Sequence, residues 1–306
     1  MPASQQKVIP HLWFDDHAEA AANFYTSAFD DARLGAMTRY GTEGFEIHGQ
    51  PEGKVMTVEF EIAGYHMLAI NGGPIFTITP AISFMVTCET VGEVNALWDT
   101  LSDGGQVLMG IDSYPWSDRY GWVQDRYGVS WQLYRGTVDR SGQRISPTLM
   151  FVGAQLGRAE EAINLYTSTF PGSSIDGVLR YGANSGEAAG MVQHSSFRLG
   201  DDLLMAMDGP GPHQFTFTEA VCLLVPCDSQ EEIDHYWNAL TAGGDPAAQQ
   251  CGWLKDRFGV SWQVTPVALL EMMKDPDPKR VARVTKAFLQ MKKLDLAELQ
   301  RVYKGG

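Results

Sequence analysis

The sequence predicts an α+β protein built from tandem paired β-α-β-β-β modules, four modules in two homologous halves, followed by C-terminal helices. Three observations carry this. The chain repeats itself at a period of about 140 residues. Each half alternates short strand patterns with one helical pattern, twice over. The tail after residue 268 shows helical periodicity only.

The repeat is read residue by residue. Asn23-Phe24-Tyr25-Thr26-Ser27-Ala28-Phe29 returns as Asn164-Leu165-Tyr166-Thr167-Ser168-Thr169-Phe170, and Arg39-Tyr40-Gly41 as Arg180-Tyr181-Gly182. Cys88 matches Cys227, Trp98 matches Trp237, and Gly128-Val129-Ser130-Trp131-Gln132 matches Gly259-Val260-Ser261-Trp262-Gln263. The offset drifts between segments, as expected when insertions fall in loops. The largest insertion, Tyr114 to Tyr120, belongs to the first half and reads as an extra aromatic loop. A unit of this length is a domain rather than a solenoid repeat. The expected division is 1–136, a polar linker at 137–146, a second domain at 147–268, and a helical extension at 269–306.

Within one copy, Ile9 to Phe14 is a short apolar strand. Ala18, Ala21, Ala22, Tyr25 and Phe29 mark one face of a helix that Asp15 or Asp16 can cap. Leu34 to Tyr40 reads as a strand. Val55 to Ile62 alternates as a half-buried strand, and Ala63-Gly64 turns it into Tyr65 to Ile70. Ala81 to Cys88, a helix from Val91 to Leu101, and strands around Val107, Trp122 and Val129 to Tyr134 repeat the rhythm. In the tail, Val281, Val284, Phe288 and Met291 give an amphipathic helix, and Asp295-Leu296-Ala297-Glu298 is a capping box for a final one.

Composition narrows the partners. With 306 residues, 44% hydrophobic and 20% charged, the chain can bury a sizeable core. Its net charge of −14 repels phosphate backbones and anionic lipid, so neither nucleic acid nor membrane is an expected partner. Cys88, Cys222, Cys227 and Cys251 include no C-x-x-C pair. Met1 to Lys7 lead into the first strand with no apolar leader segment. A cytoplasmic location is expected.

Paired β-α-β-β-β modules resemble the vicinal oxygen chelate superfamily, which includes glyoxalase I, bleomycin resistance proteins and extradiol dioxygenases. Leu12-Trp13-Phe14-Asp15, Phe24-Tyr25-Thr26-Ser27-Ala28-Phe29 and Gly252-Trp253-Leu254-Lys255-Asp256-Arg257-Phe258-Gly259-Val260-Ser261-Trp262-Gln263 resemble its PhnB-like branch, often labelled 3-demethylubiquinone-9 3-methyltransferase. The resemblance covers both halves and implies a glyoxalase-like fold. Methyltransferase activity is not expected. The nearest Gly-rich turn, Asn71-Gly72-Gly73, precedes Pro74 and no helix.

In metal-dependent members, the resemblance implies His and Glu ligands on the first and last strand of each module. Carried over, those positions are His11, Ala69, Ser83 and Gln132 in one half, and Thr148, Ala206, Cys222 and Gln263 in the other. This is not a two-His, two-carboxylate set. No metal is expected, with His11 the sole plausible ligand. The expected cleft lining is His11, Trp13, Met67, Ala69, Ser83, Met85, Gln132 and Tyr134, with Trp116 on a covering loop, and Thr148, Met150, Ala206, Cys222 and Gln263 in the second copy. Trp122, Trp131, Trp253 and Trp262 are expected core anchors. An apolar, soft lining with a few amides and hydroxyls suits a small organic or aromatic ligand.

The reading is a metal-independent small-molecule binding protein with no catalytic residue assigned. The alternative is a divalent-metal lyase, isomerase or dioxygenase with an atypical site near His11. A monomeric pseudodimer and a homodimer both fit. The sequence leaves open whether each cleft forms within or between the copies, and it places any activity in residues 9 to 135.

Overall fold

The computed structural model describes residues 6–138 and 141–306. Asp139 and Arg140 of the expected linker lie outside them. The first half runs β1 (Ile9–Phe14), α1 (Ala18–Ala28), β2 (Ala32–Arg39), α2 (Phe45–His48), β3 (Val55–Ile62), β4 (Tyr65–Asn71), β5 (Ile82–Cys88), α3 (Val91–Ser102), β6 (Gln106–Tyr114), β7 (Ser117–Gln124) and β8 (Ser130–Arg135). The second runs β9 (Ile145–Phe151), α4 (Ala159–Thr169), β10 (Ser174–Arg180), β11 (Val192–Leu199), β12 (Asp202–Asp208), β13 (Val221–Cys227), α5 (Gln230–Thr241), β14 (Asp245–Gln250), β15 (Trp253–Lys255) and β16 (Ser261–Pro266). The tail adds α6 (Val267–Met272), α7 (Pro278–Phe288) and α8 (Leu296–Lys304).

The strands form two eight-stranded sheets, and each draws on both halves. Sheet 1 has the order β14-β15-β16-β13-β1-β4-β3-β2, and sheet 2 the order β10-β11-β12-β9-β5-β8-β7-β6. The halves exchange modules: β1 pairs antiparallel with β13, and β5 with β9. No sheet belongs to one copy. This settles the point left open, since each cleft face forms between the copies, and it corrects the placing of any activity in residues 9 to 135 alone, because half of every sheet comes from the other copy.

Period-two alternation sorts the side chains. Leu12, Phe14, Phe84, Val86, Leu149 and Phe151 enter one apolar core together with Ala21, Tyr25, Val94 and Tyr166 of the helices. Trp131 and Trp262 are wholly buried there, as expected. Two matched carboxylates fix the turns before the last strands. Asp125 accepts from Tyr127 N, Val129 N and Trp131 Nε1. Asp256 accepts from Phe258 N, Val260 N, Trp262 Nε1 and the Tyr166 hydroxyl. The faces turned away from the helices are the cleft faces.

Local expectations are revised at several points. The α1 N-cap is His17, and Asn71 Oδ1 rather than an aspartate accepts from Ala18 N at 2.8 Å. Asp208 does the same for Ala159 N, so the last residue of β4 or β12 caps the helix beside it. Tyr114 to Tyr120 is a hairpin tip between long strands, with the three rings of Tyr114, Trp116 and Tyr120 packed on one another, and not an extra loop. The tail begins with α6, directly off β16 and without a linker. Asp295 caps α8, accepting from Glu298 N, but the expected box is only half made, because the Glu298 carboxylate pairs with Arg301.

Candidate functional site

The cleft face of sheet 1 carries Ile9, His11 and Trp13 on β1, Leu68 on β4, Cys222 and Leu224 on β13, and Ser261, Gln263 and Thr265 on β16. It is closed. Leu270 of α6 packs onto Ile9, Leu68 and Leu224. Lys274 beyond α6 reaches Glu59 at 2.7 Å, and Cys251 N and Gly252 N donate to the carbonyls of Met291 and Lys292. The tail thus folds back over the face.

Beneath it, His11 Nδ1 donates to Gln263 Oε1 at 2.8 Å, and the ring lies 5.5 Å from Trp253. Its Nε2 and Thr265 Oγ1 are buried with no hydrogen-bond partner among the described residues, and the Ser261 hydroxyl sits beside the Cys222 thiol. Burial holds the imidazole down at about 4, against the pull of the Gln263 bond, so His11 is neutral at pH 7. Burial also pushes the Cys222 thiol far up, so it is no thiolate.

The cleft face of sheet 2 is built from the matching positions and is not capped by a helix among the described residues. Its floor is a hydrogen-bonded row: the Tyr120 hydroxyl donates to Gln132 Oε1, and Gln132 Nε2 donates to Ser83 Oγ, both at 2.8 Å. Thr148 lies opposite Ser83 across the β5–β9 pair. Met85, Tyr120 and Met205 form an apolar cluster with Met109, Tyr114, Trp122, Tyr134 and Leu203 half-buried around it. The Thr87 hydroxyl donates to Tyr134 Oη at 3.1 Å, and Trp122 Nε1 donates to Ser130 Oγ at 2.8 Å.

The expected lining residues therefore separate. His11, Cys222 and Gln263 meet in sheet 1. Ser83, Met85, Gln132, Tyr134, Thr148 and Met150 share the cleft face of sheet 2. Trp116 is 57% exposed at the hairpin tip. Met67, Ala69 and Ala206 are corrections: all three enter the core on the helix side. A one-residue slip in reading β4 and β12 inverts the face, and the neighbours Leu68 and Met205 are the cleft residues. Trp122 and Trp253 are corrections too, since both are half-buried on cleft faces and not core anchors. Trp13 stands at the margin of sheet 1, its Nε1 donating to Gly73 O. Its indole excludes any side chain at Gly72, where a Cβ would sit 2.1 Å from the ring. Sequence reading missed Leu203 and Met109, whose positions are set by pairing and not by motif.

Neither face fits a hard divalent cation. At the carried-over ligand positions sheet 1 offers one imidazole nitrogen, a protonated thiol and an amide, and sheet 2 two hydroxyls and an amide. A hard cation needs carboxylate or carbonyl oxygens, and a borderline transition metal needs imidazoles together with carboxylates. Among the described residues no three His, Cys, Asp or Glu side chains come close enough to share a metal.

The family model described as 3-demethylubiquinone-9 3-methyltransferase matches residues 6–134 and again 143–265. The chain belongs to that family. The two matches follow the internal repeat, and the fold is glyoxalase-like. The Bacillus cereus PhnB protein is 40% identical over 43% of this chain and 100% of its own, with a TM-score of 0.39. An uncharacterized protein of Mycobacterium bovis is 32% identical over 40% of this chain and 79% of its own. Glyoxalase I of Zea mays, 11% identical, aligns over 88% of this chain and 95% of its own with a TM-score of 0.55, a likeness of fold alone. No helix among the described residues is long and apolar enough to cross a membrane.

Proposed function

We propose that the chain is a metal-independent binding protein for a small, neutral, aromatic or apolar molecule, held on the cleft face of sheet 2. The observation that supports it most is the Tyr120–Gln132–Ser83 row beneath Met85, Met109, Trp122, Tyr134 and Met205 on a face no described helix covers. Soft thioether and aromatic walls with a few fixed polar groups suit such a ligand. The donor sets above speak against a metal route, and the Cys222 thiol across from His11 is held protonated by burial. The family's methyltransferase label gains no support from either cleft face.

The test is a calorimetric titration with 1-naphthol. Gln132→Leu removes the polar anchor and weakens binding about tenfold, while Gln263→Leu in the closed sheet leaves it unchanged. Equal loss in both variants, or binding that requires added divalent metal, overturns the reading.

A further inference from the structure

A groove of about 580 Å³ lies past the margin of sheet 1, where the end of β1 and the turn before β8 meet. Trp13, Phe76 and Tyr127 line it, with Asp15 and His17 at its rim. The volume is in the range of small-molecule sites. Trp13 and Phe76 pack edge to face at 5.0 Å, a rigid aromatic corner. Among the described residues, the Asp15 carboxylate makes no ion pair.

The second half shows what this place can hold. There Phe258 stands where Tyr127 does, and Arg158, the residue matching His17, lays its guanidinium over the Phe258 ring at 4.5 Å. Arg158 also donates to the Arg257 carbonyl at 3.1 Å and pairs with Glu161. Both Arg158 and His17 occupy the N-cap of their helix. In the first half the matching ring, Tyr127, has His17 6.4 Å away and no cation over it among the described residues. The one cation of the lining, Arg126, is already stacked on Phe24 at 4.9 Å and bonded to Asp103.

We infer that this groove binds a free small organic cation of the guanidinium class, stacked on Tyr127 and drawn by Asp15. It takes the place that Arg158 fills in the other half. An aromatic face attracts a cation and discriminates weakly for a neutral group of the same shape. The chain's net charge of −14 favours encounter with cations.

The probe is butylguanidinium, with butylurea as its neutral isostere, in calorimetric titrations of the full chain. Butylguanidinium binds about tenfold tighter than butylurea. Asp15→Asn weakens it about threefold and flattens its salt dependence. His17→Arg, an exposed substitution copying the second half, abolishes binding with no loss of thermal stability. Gln132→Leu leaves it unchanged, which separates this site from the one on sheet 2. Equal affinity for butylurea, no binding of either, or full binding by His17→Arg overturns the inference.

Discussion

The two cleft faces are the same surface built twice and finished differently. His11 stands where Thr148 stands, Cys222 where Ser83 does, and Leu224 where Met85 does. Gln263 and Gln132 are alike, yet one is bonded to a buried imidazole and the other links a tyrosine to a serine. The deciding difference lies outside the repeat. Strand β16 continues into α6, which lays Leu270 on sheet 1. After β8 the chain instead passes to the second half. One scaffold thus yields a face covered by a helix and one that no described helix covers, on which Met85, Tyr120, Gln132 and Met205 bury one another.

The contrast can be broken in descending order of effect. Leu224→Asp puts a carboxylate under Leu270 and costs about 5 kcal/mol, whereas Met85→Asp at the matching position, buried but with no helix over it, costs about 2 kcal/mol. Paired denaturant midpoints check this, and equal losses mean that sheet 1 is not sealed.

Next comes pH. His11 has its imidazole lowered from 6.5 to about 4, so above pH 6.5 both folded and unfolded chains carry it neutral. Below that, the unfolded chain takes a proton that the folded one refuses until about pH 4. Stability is therefore present above 6.5 and lost as pH falls toward 4, by about 3 kcal/mol. His11→Thr, which copies the residue of sheet 2, removes that slope. A variant with the wild-type slope between these pH values assigns the acid sensitivity elsewhere.

A smaller effect tests the floor of sheet 2. Tyr120→Phe deletes the hydroxyl that anchors Gln132 and costs about 1 kcal/mol in thermal unfolding. Last, Leu270→Ser loosens the tail without removing it. Thiol labelling at Cys222 then rises severalfold while Cys88 keeps its rate, because only the former lies under α6. Unchanged labelling at Cys222 means that another element seals the face.

The sequence by itself determined the duplication, the four modules and the core helices. Periodicity, capping residues and matched Trp and Asp-Arg positions are local signals, and a local signal survives in the string. It also contained His11, Gln132 and Gln263 as facing residues. It could not place Met67, Ala69 and Ala206, because strands apolar on both faces give no alternation to read, and one residue of slip exchanges core for cleft. Only the tertiary structure decided that the halves exchange modules. That choice rests on β1 meeting β13 and β5 meeting β9, pairings between segments far apart in sequence that equal apolar strands make equally well. The same holds for the tail. Its amphipathic helices are legible, but the face they close is fixed by where β16 ends and what Leu270 can reach.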